Sequence, residues 1–198
     1  MSNYYPKDDN AILEINLKAL SQNYKNLKNK LDKEVNCAAT IKADAYGIGD
    51  KVVVKSLIKS GCKIFFVAHF SEAVRLREFS KKIKIFCYHG INKKNYKDFI
   101  NFSIVPIANS LEQILMIRSL NLKNKFNKSI AIHFDTGMSR LGLDISETKW
   151  LIKNKKEISS IKVELIMSHL ACADQSNNPM NKRQLEKFNT IRKEFKES

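Results

Sequence analysis

Short apolar segments alternate along the chain with longer segments of helical spacing. Six apolar, often β-branched runs stand at residues 36–42, 62–69, 84–89, 103–109, 129–135 and 162–169. Five of these runs are followed by apolar residues spaced three and four apart, as on one face of a helix. Strands that are almost continuously apolar are buried on both faces, which is typical of parallel sheets covered by helices. The pattern predicts an α/β fold.

An amphipathic helix is predicted ahead of the first strand, over residues 15–31. Its apolar side chains recur at helical intervals and would form one buried stripe. They are Leu17, Leu20, Tyr24, Leu27 and Leu31.

The number of strands bears on the choice between a barrel and an open sheet. A (β/α)8 barrel has eight strands, and six are visible in the 198 residues. No Gly-x-Gly-x-x-Gly motif or P-loop follows the first strand, so the usual nucleotide-binding signatures are absent. The sequence ends at Ser198 within a charged, helix-like segment. We therefore interpret residues 1–198 as part of a parallel (β/α)8 TIM-type barrel with about six of its eight strands.

A polar residue ends each of the six predicted strands. Strands often end where solvent begins, but three of these six residues are histidines, which exceeds that expectation. In α/β barrels the catalytic groups lie at the carboxyl ends of the strands. The pattern predicts an active-site rim formed by Lys42, His69, His89, Asn109, Asp135 and His169.

The charge of the chain is strongly positive, with 35 basic and 20 acidic residues and a formal net charge of +15. Such a charge raises the possibility of nucleic-acid binding. The lysines, however, are scattered over the predicted helices rather than gathered in one run with interleaved aromatic residues. We expect a solvated basic surface and no specific nucleic-acid partner.

Other sequence features limit the class of protein further. No apolar stretch approaches the roughly 20 residues that span a bilayer. Residues 1–10 do not have the basic and then apolar pattern of a secretory signal, so a cytoplasmic protein without a membrane partner is expected. The four cysteines stand far apart and form no C-x-x-C pair, so neither a metal site nor a disulfide framework is predicted.

The most distinctive stretch is ATIKADAYGIG at residues 39–49. Lys42 follows directly on a buried strand, and an amine that is withdrawn from water is suited to a nucleophilic or Schiff-base role. Tyr46 can turn its hydroxyl toward the same end of the strand. Gly47 and Gly49 permit close backbone turns there.

Five segments of the chain resemble the alanine racemases with a fold-type III barrel, and the two most specific are TIKADAYGIG and HFDTGMSRLG. The others are AILEINLKALSQNY, FFVAHFSEAVRLRE and MSHLACADQSNNPMNKRQL. The resemblance implies that Lys42 carries pyridoxal 5'-phosphate (PLP) and that Tyr46 helps to hold its phosphate. It implies that Arg140 contacts the phenolic oxygen of PLP and the substrate. His169 would lie beside the pyridine ring, among the groups that position the ring's arginine partner.

The resemblance also implies a function, the interconversion of L-alanine and D-alanine for peptidoglycan synthesis. Lys42 would be the base on one face of the substrate, and a tyrosine from the partner subunit of a homodimer would be the base on the other. In the family, the last two barrel strands and a C-terminal β-domain supply that tyrosine and most of the phosphate site. Residues 1–198 contain neither, so this chain alone is expected to be inactive.

Two positions depart from the family pattern. Many members have a lysine seven residues before the arginine, and that lysine becomes carbamylated and orients the arginine. Here the position is His133, which we expect to act as a neutral orienting group; a packed strand histidine is the alternative. Ile48 replaces the histidine of the commoner YGHG sequence.

Two other functions remain open on sequence grounds. One is another PLP-binding barrel protein, either a different amino-acid racemase or a PLP homeostasis protein. The other is a non-catalytic remnant or basic interaction module. The other PLP-binding barrel proteins share a barrel lysine but not the DTGMSRLG and SHLACAD segments, whereas the sequence beyond codon 198 would distinguish an enzyme from a remnant.

Overall fold

Six strands pair in parallel, each with its neighbours in sequence, in the computed structural model, which describes residues 11–197. The segment 1–10, in which no secretory signal is predicted, lies outside the described residues. Each strand falls within one of the six predicted runs, so the predicted parallel α/β arrangement is confirmed. The strands are β1 Ala39–Thr40, β2 Ile64–Val67, β3 Lys84–Cys87, β4 Val105–Ala108, β5 Ile130–His133 and β6 Val163–Met167.

Helices fill the connections between the strands. The predicted helix over residues 15–31 is shorter in the structure, because the side chain of Asn16 accepts the N–H of Ala19 and fixes the first turn, and the helix ends at Lys28. A six-residue helix between β3 and β4 has no clear sequence signal. The helices are α1 Leu17–Lys28, α2 Lys42–Tyr46, α3 Asp50–Lys59, α4 Phe70–Phe79, α5 Tyr96–Asn101, α6 Leu111–Leu122, α7 Ile145–Lys153 and α8 Pro179–Glu197, with a 3-10 turn at Lys155–Ile158.

The sheet has an apolar core on each of its faces. The larger core packs the strands against the helices, and Phe65, Ile85 and Ile132 are fully buried in it. The smaller core lies on the opposite face, where the rings of Phe66 and Phe86 stack with centroids 4.8 Å apart. This burial on both faces explains the almost continuous apolar runs of the sequence.

Within residues 11–197, β1 and β6 are the two edge strands of the sheet. There β1 pairs with β2 alone and β6 with β5 alone, so these six strands do not close on themselves. No helix in this part of the chain is long and apolar enough to cross a membrane. The cysteines are all free thiols, and two of them, Cys62 and Cys87, are buried.

Candidate active site

A cavity of about 370 Å³ opens at the carboxyl ends of the strands. Lys42, Tyr46, Arg140 and His169 all line it, so the structure brings together the four residues that the sequence resemblance singles out. The parallel strands account for this, since their carboxyl ends meet at one edge of the sheet. The other lining residues are Thr40, Ala68, Tyr88, His89, His133 and Leu141.

A larger groove of about 560 Å³ lies between α1 and α3. It is open to solvent and is lined by helix residues on the outside of the sheet, four of them lysines. It contains no strand end and none of the candidate residues. We therefore place the candidate active site at the strand-end cavity.

The position of Lys42 follows from β1 and from the turn after it. Thr40 and Lys42 are two residues apart and both line the cavity, and the hydroxyl oxygens of Thr40 and Tyr88 are 3.1 Å apart. After Lys42 the chain enters α2, in which Ala43 has φ 52° and ψ 53°. This single left-handed turn returns Tyr46 to the same cavity, with the Lys42 Nζ 5.9 Å from the centre of its ring.

The Arg140 loop, residues 136–142, is held by the carboxylate of Asp135. Its Oδ1 accepts the backbone N–H groups of Gly137, Met138 and Ser139 at 2.9–3.0 Å. The loop then returns to β5, where the N–H of Leu143 donates to the carbonyl of His133 at 2.8 Å. Asp135 therefore forms the loop that carries Arg140 and does not line the cavity itself.

His133 is buried, with 5% of its surface exposed, and hydrogen-bonds to Asn109. The amide nitrogen of Asn109 donates to the carbonyls of Tyr88 and Ile107, so its oxygen faces His133 Nδ1 at 3.0 Å. Since that oxygen can only accept, Nδ1 carries the proton and Nε2 is left with a lone pair. The hydrogen bond of His133 is to Asn109, not to Arg140.

The charge state of His133 follows from the same environment. Burial lowers its pKa to about 4, the charges of His169 and Arg140 act in the same direction, and Asp135 opposes them. The imidazole is therefore neutral near pH 7, which agrees with the neutral group expected there.

His169 follows β6 and is held through its backbone by α8. The side-chain nitrogen of Gln184 donates to the carbonyl of His169 at 2.8 Å and to the hydroxyl of Thr136 at 3.2 Å. Gln184 is 1% exposed and also accepts the N–H of Ala171. Burial lowers the pKa of His169, as do the nearby charges of Arg140 and Lys42.

The predicted rim of six strand-end residues is only partly a cavity lining. Lys42, His89 and His169 line the cavity, and the ring of His69 contacts that of His89 with centroids 4.3 Å apart. Asn109 and Asp135 do not line the cavity: Asn109 hydrogen-bonds to His133, and Asp135 holds the Arg140 loop.

Three residues near the site are missed by the sequence reasoning: Tyr88, Gln184, and Glu72, whose carboxylate accepts the N–H of Ala43 next to Lys42. Only Tyr88 has a sequence signal, since it stands next to the strand-end His89 and follows Phe86 by two residues in the apolar run 84–89. Glu72 lies in the first turn of α4, where its position indicates only a helix cap. Gln184 lies in α8, where its position indicates only a polar face.

Comparisons with known proteins identify similar sequences and folds. The family profile described as "Alanine racemase, N-terminal domain" matches residues 15–198. A catabolic alanine racemase of Agrobacterium fabrum is 39% identical over 174 residues, which are 87% of this chain and 45% of that protein. An alanine racemase of Rickettsia prowazekii is 35% identical over 178 residues, 89% of this chain and 44% of that protein.

A solved structure has the same fold. The alanine racemase of Bartonella henselae with covalently bound pyridoxal phosphate superposes with a TM-score of 0.85 at 31% identity, covering 91% of this chain and 52% of that one. This match confirms the fold class predicted from the sequence, a TIM-type barrel of which this chain covers a part. The chain spans about half the length of the curated relatives it matches.

We predict that His133 makes the protein less stable in acid. An unfolded histidine has the ordinary pKa of 6.5, whereas folded His133 has a pKa of about 4. Between these values the unfolded chain binds a proton that the folded protein does not, so the free energy of unfolding falls as the pH falls, by at most about 1.4 kcal/mol per pH unit. Below pH 4 this contribution levels off.

Denaturant unfolding of the parent and of His133→Asn between pH 7 and 4 measures the effect. Asparagine does not titrate, so the pH dependence of the variant should be flatter than that of the parent. Parallel curves for the two proteins would show that His133 is not the group responsible.

We also predict that Gly142→Ala destabilises the Arg140 loop. Gly142 has φ +105°, and a Cβ there would lie 2.9 Å from Asp135 N and 3.0 Å from His133 O. Both neighbours are backbone atoms, so the expected loss is more than about 1 kcal/mol in the free energy of unfolding. The matched control is Gly47→Ala, since Gly47 has φ +82° but nothing within 4 Å of an added Cβ. An equal loss in both variants would contradict the steric argument.

Proposed function

Because this chain belongs to the alanine racemase family, we propose that it forms the N-terminal part of a PLP-dependent racemase that interconverts L-alanine and D-alanine. Residues 1–198 would supply the first six strands of the cofactor-binding barrel. The remaining strands and a C-terminal β-domain would come from sequence outside this range. The observation that carries the proposal is the position of Lys42, Tyr46, Arg140 and His169 around one cavity.

The residues around the cavity fit PLP. Its volume of about 370 Å³ lies within the roughly 300–1,000 Å³ of small-molecule sites. PLP has an aldehyde, a phenolic oxygen and a phosphate. In the cavity, the Lys42 amine is suited to the aldehyde and the Arg140 guanidinium to the phenolic oxygen. The hydroxyl of Tyr46 can donate to the phosphate.

Lys42 has two roles in this proposal. Its amine would hold the cofactor before substrate arrives, and afterwards it would take or return the proton on one face of the substrate Cα. PLP, when bound, supplies the electron sink that makes this proton acidic. Racemisation requires a second proton-transfer group on the opposite face.

Arg140 would bind the phenolic oxygen of PLP and the substrate carboxylate, with its direction set by the loop that Asp135 holds. The lone pair on His133 Nε2 can accept from the guanidinium without adding a negative charge. His169, whose lowered pKa favours the neutral imidazole, would lie beside the pyridine ring.

The second base and the partner are also part of the proposal. A tyrosine contributed by the other subunit of a homodimer would serve the opposite face of the substrate. The product D-alanine would enter peptidoglycan synthesis in the cytoplasm. The +15 charge would be a property of the surface rather than a nucleic-acid site.

Trapping the cofactor tests the role of Lys42. After incubation of the intact gene product with PLP and reduction with borohydride, peptide mapping should find the label on the peptide containing Lys42. Lys42→Ala should lose this label and lower the racemisation rate by at least about 10²-fold, because one of the two proton-transfer groups is gone. The control is Lys55→Ala, which removes a lysine from the groove between α1 and α3 and should leave label and rate unchanged. Faster labelling of another lysine than of Lys42 would contradict the assignment.

A second test compares residues 1–198 with the intact gene product. The isolated chain should show no measurable alanine racemisation in an assay coupled to D-amino-acid oxidase, because it lacks the second base and most of the phosphate site. The intact gene product, sequenced beyond codon 198, should racemise alanine. A soluble protein of residues 1–198 that interconverts the two enantiomers would contradict the two-base proposal. An inactive gene product ending at codon 198 would favour the non-catalytic remnant.

A further inference from the structure

The backbone after Lys42 is left-handed over four residues, none of which is glycine. The φ values are 52° for Ala43, 52° for Asp44, 54° for Ala45 and 59° for Tyr46. L-amino acids disfavour this conformation because Cβ approaches the following carbonyl oxygen. Alanine otherwise favours the right-handed helix. A left-handed turn of this kind persists only where the surrounding structure holds it.

Two carboxylates hold the turn. Asp44 Oδ1 accepts the N–H of Asp50 at 2.7 Å, which ties the turn to the start of α3. Glu72 Oε1 accepts the N–H of Ala43 at 2.7 Å. The Glu72 bond is the one closer to Lys42, because it is made to the residue directly after it. Glu72 itself lies in another helix, α4.

The same Glu72 carboxylate also fixes the end of β2. Its Oε2 accepts the N–H of Ala68 at 2.8 Å and that of His69 at 2.9 Å. Burial acts to raise the pKa of Glu72, but the N–H groups of His69, Ala43 and Ala68 outweigh it and leave the pKa below its ordinary value. The buried group is therefore an ionised acceptor that joins the carboxyl ends of β1 and β2.

Helix capping explains only part of this arrangement. A capping-box glutamate needs to accept just the N–H of the N-cap residue, which for α4 is His69. The equivalent residue of α7 is Glu147, which accepts the N–H of its N-cap Asp144 and that of Leu111. Glu147, like Glu72, therefore accepts the N–H of its N-cap residue and one from another segment, but it makes no hydrogen bond to the turn after Lys42.

The bond to Ala43 acts on Lys42 through the peptide unit they share. The N–H of Ala43 and the carbonyl of Lys42 lie in one plane, so an acceptor that fixes this N–H also fixes the rotation about the Cα–C bond of Lys42. We propose that Glu72 is a positioning residue that holds the left-handed turn and thereby aims the Lys42 amine into the cavity. This inference rests on the proposed function, in which Lys42 bears PLP.

The test uses Glu72→Gln, Glu72→Asp and the matched control Glu147→Gln in the intact gene product. Glutamine has one acceptor oxygen in place of two, and aspartate keeps the charge but is one methylene shorter. The aspartate variant serves if Glu72→Gln does not fold. Two readouts are independent of racemase activity: backbone amide exchange of residues 43–49, and the rate at which PLP with borohydride labels Lys42, relative to Lys55 in the same digest.

Both Glu72 variants should speed amide exchange in residues 43–49 and slow Lys42 labelling by roughly tenfold, as expected for the loss of a hydrogen bond to a charged group. Glu147→Gln should change neither. Parental exchange and labelling in both Glu72 variants would show that Glu72 is only a helix cap, and equal changes in Glu147→Gln would show a general loss of stability; either result overturns the inference. No labelling of Lys42 in the parent would instead overturn the proposed function, while the exchange data would still decide whether Glu72 holds the turn.

Discussion

The parallel alignment of the six strands is the constraint on which the candidate site depends. It brings every carboxyl end to one edge of the sheet. Polar side chains from different strands then lie close together: Asn109 after β4 contacts His133 of the neighbouring β5, and Thr40 of β1 reaches past β2 to Tyr88, which follows β3. A shift of one residue in the register of any strand would turn these side chains to the other face. The buried apolar residues on both faces hold the register.

The turn after Lys42 and the loop that carries Arg140 are each held by a carboxylate that accepts three backbone N–H groups. Glu72 binds the turn after Lys42 together with the end of β2, and Asp135 binds the loop before Arg140. Short loops at a sheet edge cannot satisfy their N–H groups through strand pairing, and an ionised acceptor does so in a fixed geometry. These hydrogen bonds hold the backbone next to the two cationic side chains that line the cavity.

The surroundings of Arg140 differ from the family pattern in charge. A carbamylated lysine would place a negative group beside the arginine, whereas His133 is a neutral imidazole whose Nδ1 proton is directed at Asn109. The His133 side chain therefore places no negative charge beside Arg140, which lines the cavity. In the proposed function, the positive charge of Arg140 is balanced by the phenolic oxygen of PLP and by the substrate carboxylate.

The sequence by itself determined the number and direction of the strands, the cavity edge and the four candidate residues. The strands and the cavity edge rest on local information, namely runs of apolar residues and polar strand ends, and the four candidate residues rest on motifs that resemble those of the alanine racemases. Tertiary structure alone decided the hydrogen bond of Glu72 to Ala43, 29 positions apart, and that of Gln184 to the backbone beside His169. It also decided the left-handed backbone of Ala43, which opposes the local preference of alanine. The physical reason is that such contacts depend on strand register and helix packing, which no stretch of neighbouring residues specifies.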